Sequence, residues 1–217
     1  MTSSKNDQIV FVGSGGHGRV LLDALRASRP AVVGYVAKER AAADGPFGSI
    51  DYLGDDDALI ARGPSGLTLV NAIGSVDVPS HRAGVFETFK RHGFAFMTVV
   101  HESAVVAANT ELGEGAQIMA GAIVQSGARI GANSIVNTGA VVDHDAAVGE
   151  TVHIGPMAAV GGGVYIGPAS HVGAGAVIIQ GVRVGAGVLI GAGAVVVDNV
   201  GDGARVAGVP ARSLARS

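Results

Sequence analysis

The sequence predicts two structural parts: a small amino-terminal α/β domain with a Rossmann-like parallel sheet, followed by a parallel β-helix. The β-helix is predicted by a hexad repeat. From Val100 to Val196 every sixth residue is aliphatic, seventeen times without a slip, and the side chain four positions later is always Ala, Ser, Thr or Val. The α/β domain is predicted by short apolar runs that alternate with helical periodicity before this repeat. A period of six fits neither a helix nor an ordinary strand, so each hexad is predicted to form one short strand and a turn.

The hexads also predict how the β-helix is filled. The aliphatic residue points inward and the small residue fits the corner, while Gly is frequent directly after the aliphatic position, as in Ile130-Gly131 and Ile166-Gly167. Three hexads make one coil of eighteen residues, and successive coils stack at the strand spacing of about 4.8 Å. An uncapped end would expose strand edges, so we expect the preceding domain to cover the first coil.

Composition narrows the class of protein. The chain has 217 residues, 35 of them Gly, with 4% aromatic residues and a net charge of −3, which leaves no basic footprint for nucleic acid or a membrane surface. The absence of Cys excludes disulfides, thiolate metal sites and a cysteine acyl-enzyme. No apolar run is long enough to span a bilayer, and residues 1–8 form a polar leader without the features of a signal peptide. The sequence predicts a cytoplasmic protein without membrane partners.

A glycine-rich turn opens the α/β domain, residues 9–99. A strand over 9–12 leads into Gly13-Ser14-Gly15-Gly16-His17-Gly18, and a helix is predicted over 19–28. A strand, a glycine-rich turn and a helix together place backbone N–H groups around a phosphate. Glu39 lies slightly late for a ribose-binding acid of an NAD site, and no domain for hydride transfer follows. The pattern favours a small phosphate or nucleotide site, with a turn that only packs as the alternative.

The remaining elements of this domain follow from apolar runs and turn residues. Strands are predicted over 31–36, 67–73 and 94–99, and a helix over 81–92. Residues 46–59, which include Asp55-Asp56-Asp57, are predicted to be an acidic, solvated loop. The β-helix domain is predicted over 100–201, with a carboxy-terminal cap or tail over 202–217.

Polar side chains in so apolar a repeat indicate chemistry. His144 follows an inward Val by two positions, Asp145 is its neighbour, and Gly162 lies one coil further on. A His with an orienting carboxylate and a glycine backbone one coil away form a general base that faces an N–H donor. His153 and His171 are eighteen residues apart, which places them about 5 Å apart on successive coils.

Other interpretations of these histidines remain open. His144 and Asp145 also fit a simple surface pair, and His171 fits a stacking or supporting residue better than a catalyst. His81, His92 and His101 are predicted at the surface. Metal binding is a further alternative, because zinc carbonic anhydrases with a left-handed β-helix gather three His at a subunit interface; their close His pair, however, is absent here.

Several motifs together resemble one protein family. The start GSGGHG, the segments NTGAVVDHD and VHIGP, the terminal GVPAR and the hexad array look like the bacterial sugar acetyltransferases of the sialic acid O-acetyltransferase type. That family includes N-acetyltransferases for UDP-linked 4-amino sugars and for GDP-perosamine, and the similarity runs from about residue 9 to 212. The resemblance implies a left-handed β-helix, a homotrimer with active sites at subunit interfaces, acetyl-CoA between neighbouring subunits and a nucleotide sugar on the amino-terminal domain.

The resemblance also implies roles for individual residues. His144 matches the general base and Asp145 the acid that orients it, while Asn137 and His153 match residues that line the acetyl and amino groups. The remaining matches are the Gly162 N–H as donor to the thioester carbonyl, Ala174 and Ala192 as backbone contacts to pantetheine, and Gly15, Gly16 and His17 at the sugar-nucleotide phosphates. Ala37-Lys38 stands where some members have Asp-Asp to read the base, so the base is left open.

The resulting hypothesis is an acetyl-CoA-dependent N-acetyltransferase that acts on a UDP- or GDP-linked 4-amino-dideoxy sugar by direct attack on the thioester, without a metal. One alternative is O-acetylation of a sugar such as a sialic acid. A second is a non-catalytic binding solenoid, against which stands the clustering of Asn137, His144, Asp145 and His153 within seventeen residues.

Overall fold

The computed structural model describes residues 8–25 and 31–214. Contacts group the chain into two units, the first up to Gly74 together with His81–Val99, and the second formed by Ser75–Ser80 together with the residues from Val100 onward. The predicted leader lies outside the described residues except for Gln8, which begins the first strand. No helix within the described ranges is long and apolar enough to cross a membrane.

The first unit is a four-stranded parallel sheet with the order β2-β1-β3-β4. Its apolar strands pack against helices through a core that includes Val10, Leu69, Phe89 and Phe96. The predicted Rossmann-like α/β arrangement is therefore confirmed. The elements are β1 (Gln8–Val12), α1 (Gly16–Leu25), β2 (Val32–Val36), α2 (Asp56–Arg62), β3 (Leu67–Asn71), α3 (Ser80–Arg91) and β4 (Ala95–Phe96).

Helix α2 corrects the prediction of a solvated acidic loop over 46–59. Asp55 is the N-cap, and its carboxylate accepts a hydrogen bond from the Ala58 N–H at 3.0 Å. Asp56 and Asp57 occupy the first turn, where negative charge is favourable to the helix dipole. The three acids that indicated solvation are thus a helix start signal, and Leu59 is buried behind them.

Other boundaries also differ from the prediction. Helix α1 begins at Gly16, three residues earlier than expected, and its predicted end over 26–28 lies outside the described residues. Strand β3 ends at Asn71 rather than at Ile73, because the Asn71 side-chain oxygen accepts from the Ile73 N–H and turns the chain. The predicted strand over 94–99 is reduced to the two residues of β4; Val99 belongs to a strand of the β-helix.

The second unit is a parallel β-helix of about six coils with three flat faces. Each face takes its name from its outward side chains. The histidine face comprises β5 (Val99–Val100), β8 (Gln117–Ile118), β11 (Ile135–Val136), β14 (His153–Ile154), β17 (His171–Val172), β20 (Leu189–Ile190), β22 (Arg205–Ala207) and β23 (Arg212–Ser213). The charged face comprises β7 (Glu111–Leu112), β10 (Arg129–Ile130), β13 (Ala147–Val148), β16 (Tyr165–Ile166) and β19 (Arg183–Val184). The aliphatic face comprises β6 (Val105–Val106), β9 (Ile123–Val124), β12 (Val141–Val142), β15 (Ala159–Val160), β18 (Val177–Ile178) and β21 (Val195–Val196).

The second residue of most of these strands fills the axis, as the hexad pattern predicts. Ile118, Val136, Ile154 and Val172 are fully buried in one continuous core that runs through the coils. Val100, at the first position of the repeat, is 44% exposed, although the His101 N–H donates to the Ile118 carbonyl in the same register as the following coils. Strands eighteen residues apart pair in register, for example Val136 with Ile154, so the predicted coil length is confirmed.

Most corner residues with a left-handed backbone are glycine. In the corner that follows the aliphatic face, Gly127, Gly163 and Gly181 have positive φ, and Asp145 takes the same position with φ 58°. In the corner that precedes this face, Met157 with φ 58° stands in a column whose other members are Gly121, Gly139, Gly175 and Gly193. A side chain in this conformation is held there by its surroundings, because the backbone alone disfavours it.

Candidate functional site

The imidazole of His144 lies directly over the backbone of Gly162. Its Nε2 is 2.6 Å from the point where a Cβ on residue 162 would stand, so a side chain there would displace the ring from this position. Asp145 Oδ2 is 2.9 Å from His144 Nδ1. The Gly162 N–H takes no part in the hydrogen bonds between described residues. The structure thus brings together His144, Asp145 and Gly162, as the eighteen-residue coil length predicted.

Neighbouring carboxylates raise the pKa of His144. The largest cause is the hydrogen bond to Asp145, and the charge of Asp143 adds to it. Because Asp145 accepts the proton on Nδ1, the lone pair of the neutral ring lies on Nε2, on the side of Gly162. The side chains of His144 and Asp145 are 54% and 73% exposed, so this pair is open on one side within a single chain.

A second polar cluster lies on the histidine face. Asn137 Nδ2 is 3.0 Å from His153 Nε2, and the rings of His153 and His171 meet edge to face with centroids 4.9 Å apart. His153 pairs with His171 in the strand ladder, which confirms the predicted stacking of these two positions. Burial lowers the pKa of His171, against an opposing effect of Asp77. Burial thus favours the neutral form of the His171 ring, which stacks edge to face on His153.

Ser75 joins this cluster and was missed by the sequence analysis. Its Oγ is 2.8 Å from His153 Nδ1 and 3.4 Å from His171 Nδ1. It belongs to the segment Ser75–Ser80, which groups with the β-helix although it follows β3 in the chain. A polar residue in a short connection carries no periodic signal, so the sequence pattern offers nothing to single it out.

The predicted active-site residues form two groups rather than one. Asn137 lies in the turn before β12, whereas His144 and Asp145 lie in the turn after it. These turns are opposite corners of the aliphatic face. The residues that cluster within seventeen positions of the sequence therefore form two half-sites in one chain. One half-site contains Asn137 and the other contains His144 and Asp145, at the two ends of β12.

Ala174 and Ala192 stack on the same corner as Asn137. Both are exposed, and the Gly193 N–H donates to the Ala174 carbonyl at 2.9 Å, which fixes the two coils to each other. One coil earlier the column reaches Pro156 and Met157, whose side chain is 71% exposed. The corner thus presents a line of small and apolar groups that ends beside Asn137.

The glycine-rich turn of the first unit leaves its backbone accessible. Gly15 and Gly16 are exposed at the beginning of α1, and a Cβ on Gly15 would meet nothing within 4 Å. His17 is half-buried, and its Cβ packs against Gly74. These are the positions where the sequence predicts phosphate binding, at a helix start whose N–H groups favour an anion.

A cavity of about 330 Å³ opens beside this turn, at the carboxyl ends of β1 and β2. Ligands of open parallel sheets bind at this edge. Burial and the neighbouring Asp55 raise the pKa of Asp56, whereas Lys38 and His81 lower it. Carboxylates, an ammonium and an imidazole therefore line one small volume. The lining residues are Val12, Gly13, Val36, Ala37, Lys38, Asp55, Asp56, Asp57, Ile73 and His81.

Metal ligands are not grouped in the described part of the chain. No three His, Asp or Glu side chains of residues 8–25 and 31–214 lie close enough together to hold an ion. The two His rings at 4.9 Å are instead bridged by the Ser75 hydroxyl.

Comparison with family descriptions gives two matches. Residues 8–88 match the PglD N-terminal domain, and residues 109–144 match the bacterial transferase hexapeptide with six repeats. A comparison with curated proteins finds no match.

Comparison with solved structures gives matches over nearly the whole chain. Perosamine N-acetyltransferase from Caulobacter crescentus, a histidine-to-asparagine variant in complex with CoA and GDP-perosamine, is 37% identical with a TM-score of 0.87, over 96% of this chain and 97% of its own. The acetyltransferase domain of PglB from Neisseria gonorrhoeae in complex with acetyl coenzyme A is 33% identical with a TM-score of 0.88, over 96% and 100%. WeeI from Acinetobacter baumannii is 24% identical with a TM-score of 0.83, over 95% and 99%, and supports the fold alone. With the parallel ladders, these matches show that the β-helix is left-handed.

Proposed function

The chain belongs to the bacterial hexapeptide-repeat sugar acetyltransferases with a PglD-type amino-terminal domain, and on that premise we propose that it transfers the acetyl group of acetyl-CoA to the amino group of a nucleotide-linked 4-amino-dideoxy sugar. The observation that carries the mechanism is the position of His144 Nε2 over Gly162, with Asp145 on the opposite ring nitrogen. The likeness to a structure that holds CoA and GDP-perosamine supports the two substrates.

The acyl transfer proceeds by direct attack. The sugar nitrogen adds to the thioester carbonyl carbon, and His144 Nε2 takes the proton that the nitrogen loses. Asp145 stabilises the imidazolium through Nδ1–H. The Gly162 N–H donates to the oxyanion, a kind of contact worth roughly 2.7–4 kcal/mol. The C–S bond then breaks, the imidazolium returns its proton to the CoA thiolate, and the amide is released.

The active form is a homotrimer with its sites between subunits. Outward residues of the aliphatic face are all apolar, and Val105 and Val177 are 60% and 39% exposed. Packing this face around a three-fold axis is heterologous, so the corner with His144 and Asp145 of one copy meets the corner with Asn137 of the next. The two half-sites thereby become one site, with acetyl-CoA along Ala174 and Ala192.

The nucleotide sugar binds the first unit. Exposed N–H groups at Gly15 and Gly16, beside His17, receive the diphosphate, and the adjoining cavity of about 330 Å³ receives the nucleoside. Ala37-Lys38 lines this cavity in place of an Asp pair, while Asp55, Asp56 and Asp57 supply carboxylates from α2. Both UDP- and GDP-linked sugars present donors that a carboxylate accepts, so the base is decided by experiment.

The test is CoA release with acetyl-CoA and a panel of UDP- and GDP-linked 4-amino-4,6-dideoxy sugars, with free sialic acid as the hydroxyl control. Turnover on one amino sugar supports N-acetylation and names the base. Turnover only on the hydroxyl control moves the assignment to O-acetylation. If no sugar is turned over and CoA gives no thermal stabilisation, the protein is a non-catalytic binding solenoid. The cytoplasmic location stays a prediction of the sequence.

A further inference from the structure

The Ser75 hydroxyl lies in a partly buried chain of hydrogen bonds on the histidine face. It is 2.8 Å from His153 Nδ1, and Asn137 Nδ2 is 3.0 Å from the other ring nitrogen of His153. His153 and His171 are only 6% and 7% exposed. Water therefore competes little for these ring nitrogens, and each proton in the chain has a definite position.

The direction of the hydrogen bonds follows from the backbone. The Thr138 N–H donates to Asn137 Oδ1 at 2.8 Å, so the amide nitrogen faces His153. A flipped amide would set the NH₂ group against the Thr138 N–H, two donors in contact. Asn137 therefore donates to His153 Nε2, which must be unprotonated. The ring proton lies on Nδ1 and is donated to Ser75 Oγ.

This direction excludes Ser75 as a nucleophile. An imidazole that donates to a hydroxyl oxygen cannot at the same time accept the hydroxyl proton, which a serine nucleophile requires. The Ser75 O–H points instead to His171 Nδ1 at 3.4 Å. Burial lowers the pKa of His171 and so favours the neutral ring, whose Nδ1 accepts this proton in the Nε2–H tautomer.

The other end of the chain is a donor directed outward. Asn137 is only half-buried, and one of its N–H groups is used by His153. No described residue accepts the other N–H. It is available to an oxygen of a bound substrate, at the corner where Ala174 and Ala192 also lie.

We propose that Ser75 is a positioning residue of the acyl-transfer site: it holds His153 in the Nδ1–H tautomer, and His153 in turn holds the Asn137 amide with its second N–H toward a substrate oxygen. The inference rests on the proposed function for the identity of that substrate. Without the hydroxyl, Nδ1–H loses its acceptor and the ring changes to the Nε2–H tautomer. Its N–H would then oppose the Asn137 N–H, and the amide would rotate and give up its hydrogen bond from the Thr138 N–H.

A second attachment holds the segment Ser75–Ser80 independently of this hydroxyl. Asp77 Oδ2 accepts from Arg205 Nη2 at 3.1 Å, on the same face of the β-helix, and Asp77 Oδ1 accepts from the Val78 N–H at 2.7 Å. Replacing Ser75 thus tests the hydroxyl rather than the presence of the segment.

The experiment compares Ser75→Thr with Ser75→Val in the full-length protein. Thr keeps the hydroxyl, and Val has the same shape without it. Long-range ¹H–¹⁵N spectra of ¹⁵N-histidine protein report the tautomer, and His153→Gln assigns the signal.

We expect Nδ1–H in the wild type and in Ser75→Thr, and Nε2–H in Ser75→Val. The kcat of Ser75→Val falls roughly tenfold, or about 1.4 kcal/mol, while Ser75→Thr stays within about threefold and thermal stabilisation by CoA is kept in both.

Two results would overturn the proposal. The first concerns the spectrum: the His153 signal shows the Nε2–H tautomer already in the wild type, or it does not change in Ser75→Val. The other is equal turnover of the Thr and Val variants. If the wild type fails to turn over any sugar in the panel, the proposed function fails, whereas the tautomer spectra still decide the role of Ser75.

Discussion

His144 is the side chain on which the proposed chemistry depends, and it stands on a backbone that has no room for an alternative. A side chain at residue 162 would displace the ring, which occupies the space of a Cβ, and Asp145 adopts a left-handed conformation that Gly127, Gly163 and Gly181 take at the equivalent positions. Backbone strain at Asp145 is retained where its carboxylate meets Nδ1. The backbone strain at Asp145 and the close approach of the ring to Gly162 therefore both single out His144 and Asp145.

Replacing His144 by Ala should lower kcat on the order of 10²- to 10⁴-fold, the contribution of a general base. The side chain is half-exposed, so folding and CoA binding should be unchanged. CoA release and thermal shift measure the two effects. The control is His92→Ala, which removes an exposed imidazole directly after α3 that bonds only the Thr88 carbonyl in the described structure. Full activity of His144→Ala would remove His144 from the mechanism.

The pH dependence of kcat/KM should show an acid limb set by His144. Hydrogen bonding to Asp145 raises its pKa above the ordinary value near 6.5, so the neutral base is lost as pH falls through that raised pKa. Asp145→Asn removes the largest cause, and the limb should move to lower pH, with a lower plateau because the imidazolium is less stabilised. Asp143→Asn removes a smaller cause and should move the limb less. The opposite order would contradict the assignment of Asp145.

At the scale of elements, the turns of the β-helix impose two different demands on glycine. A Cβ on Gly131 would run into the backbone of Gly149 and Glu150 on the next coil. Gly175, in contrast, has φ 66° and open space around it, so only its conformation disfavours a side chain. Coil spacing and corner conformation are thus separate constraints.

Alanine at these two positions should separate the two constraints. Gly175→Ala should lower the free energy of unfolding by about 1–2 kcal/mol, the cost of a left-handed alanine. Gly131→Ala forces two coils apart and should cost more than about 3 kcal/mol, since backbone cannot yield as a side chain does. Urea unfolding measures both. Equal losses would mean that coil spacing adjusts freely.

Connections between elements were the least predictable parts of the fold. Asp55 is the start of α2 rather than part of a solvated loop, because its carboxylate caps the helix. Ser75 reaches the β-helix from a connection between β3 and α3, where no periodicity exists to guide a prediction. Such segments are placed by particular hydrogen bonds: the cap at Asp55 is a local signal that acidic composition obscured, whereas the contact of Ser75 has no local signal.

At the scale of the whole molecule, the aliphatic face distinguishes one side of the β-helix from the others. Its outward side chains are all apolar, whereas the charged face presents Glu111, Arg129 and Arg183. An apolar face of six stacked strands indicates association between copies, and the division of the site between two corners indicates that activity depends on it.

Replacing Val177 by Glu should therefore dissociate the proposed trimer and abolish turnover. A carboxylate in the middle of the aliphatic face would be buried without a partner in the assembly. Sedimentation gives the mass, and CoA release gives the activity. Arg129→Glu, an exposed change on the charged face, is the control and should affect neither. A monomeric Val177→Glu protein with full activity would show that one chain holds a complete site.

The sequence by itself determined the architecture and the positions of the candidate residues within it. A repeat of six carries both inward and outward directions, so the coil of eighteen, the stacking of His153 on His171 and the approach of His144 to Gly162 follow from arithmetic. Only the tertiary structure decided what surrounds them. The Ser75 hydroxyl on His153 is a contact between residues 78 positions apart in the chain, and Ser75 lies outside the repeat, so no period reveals it.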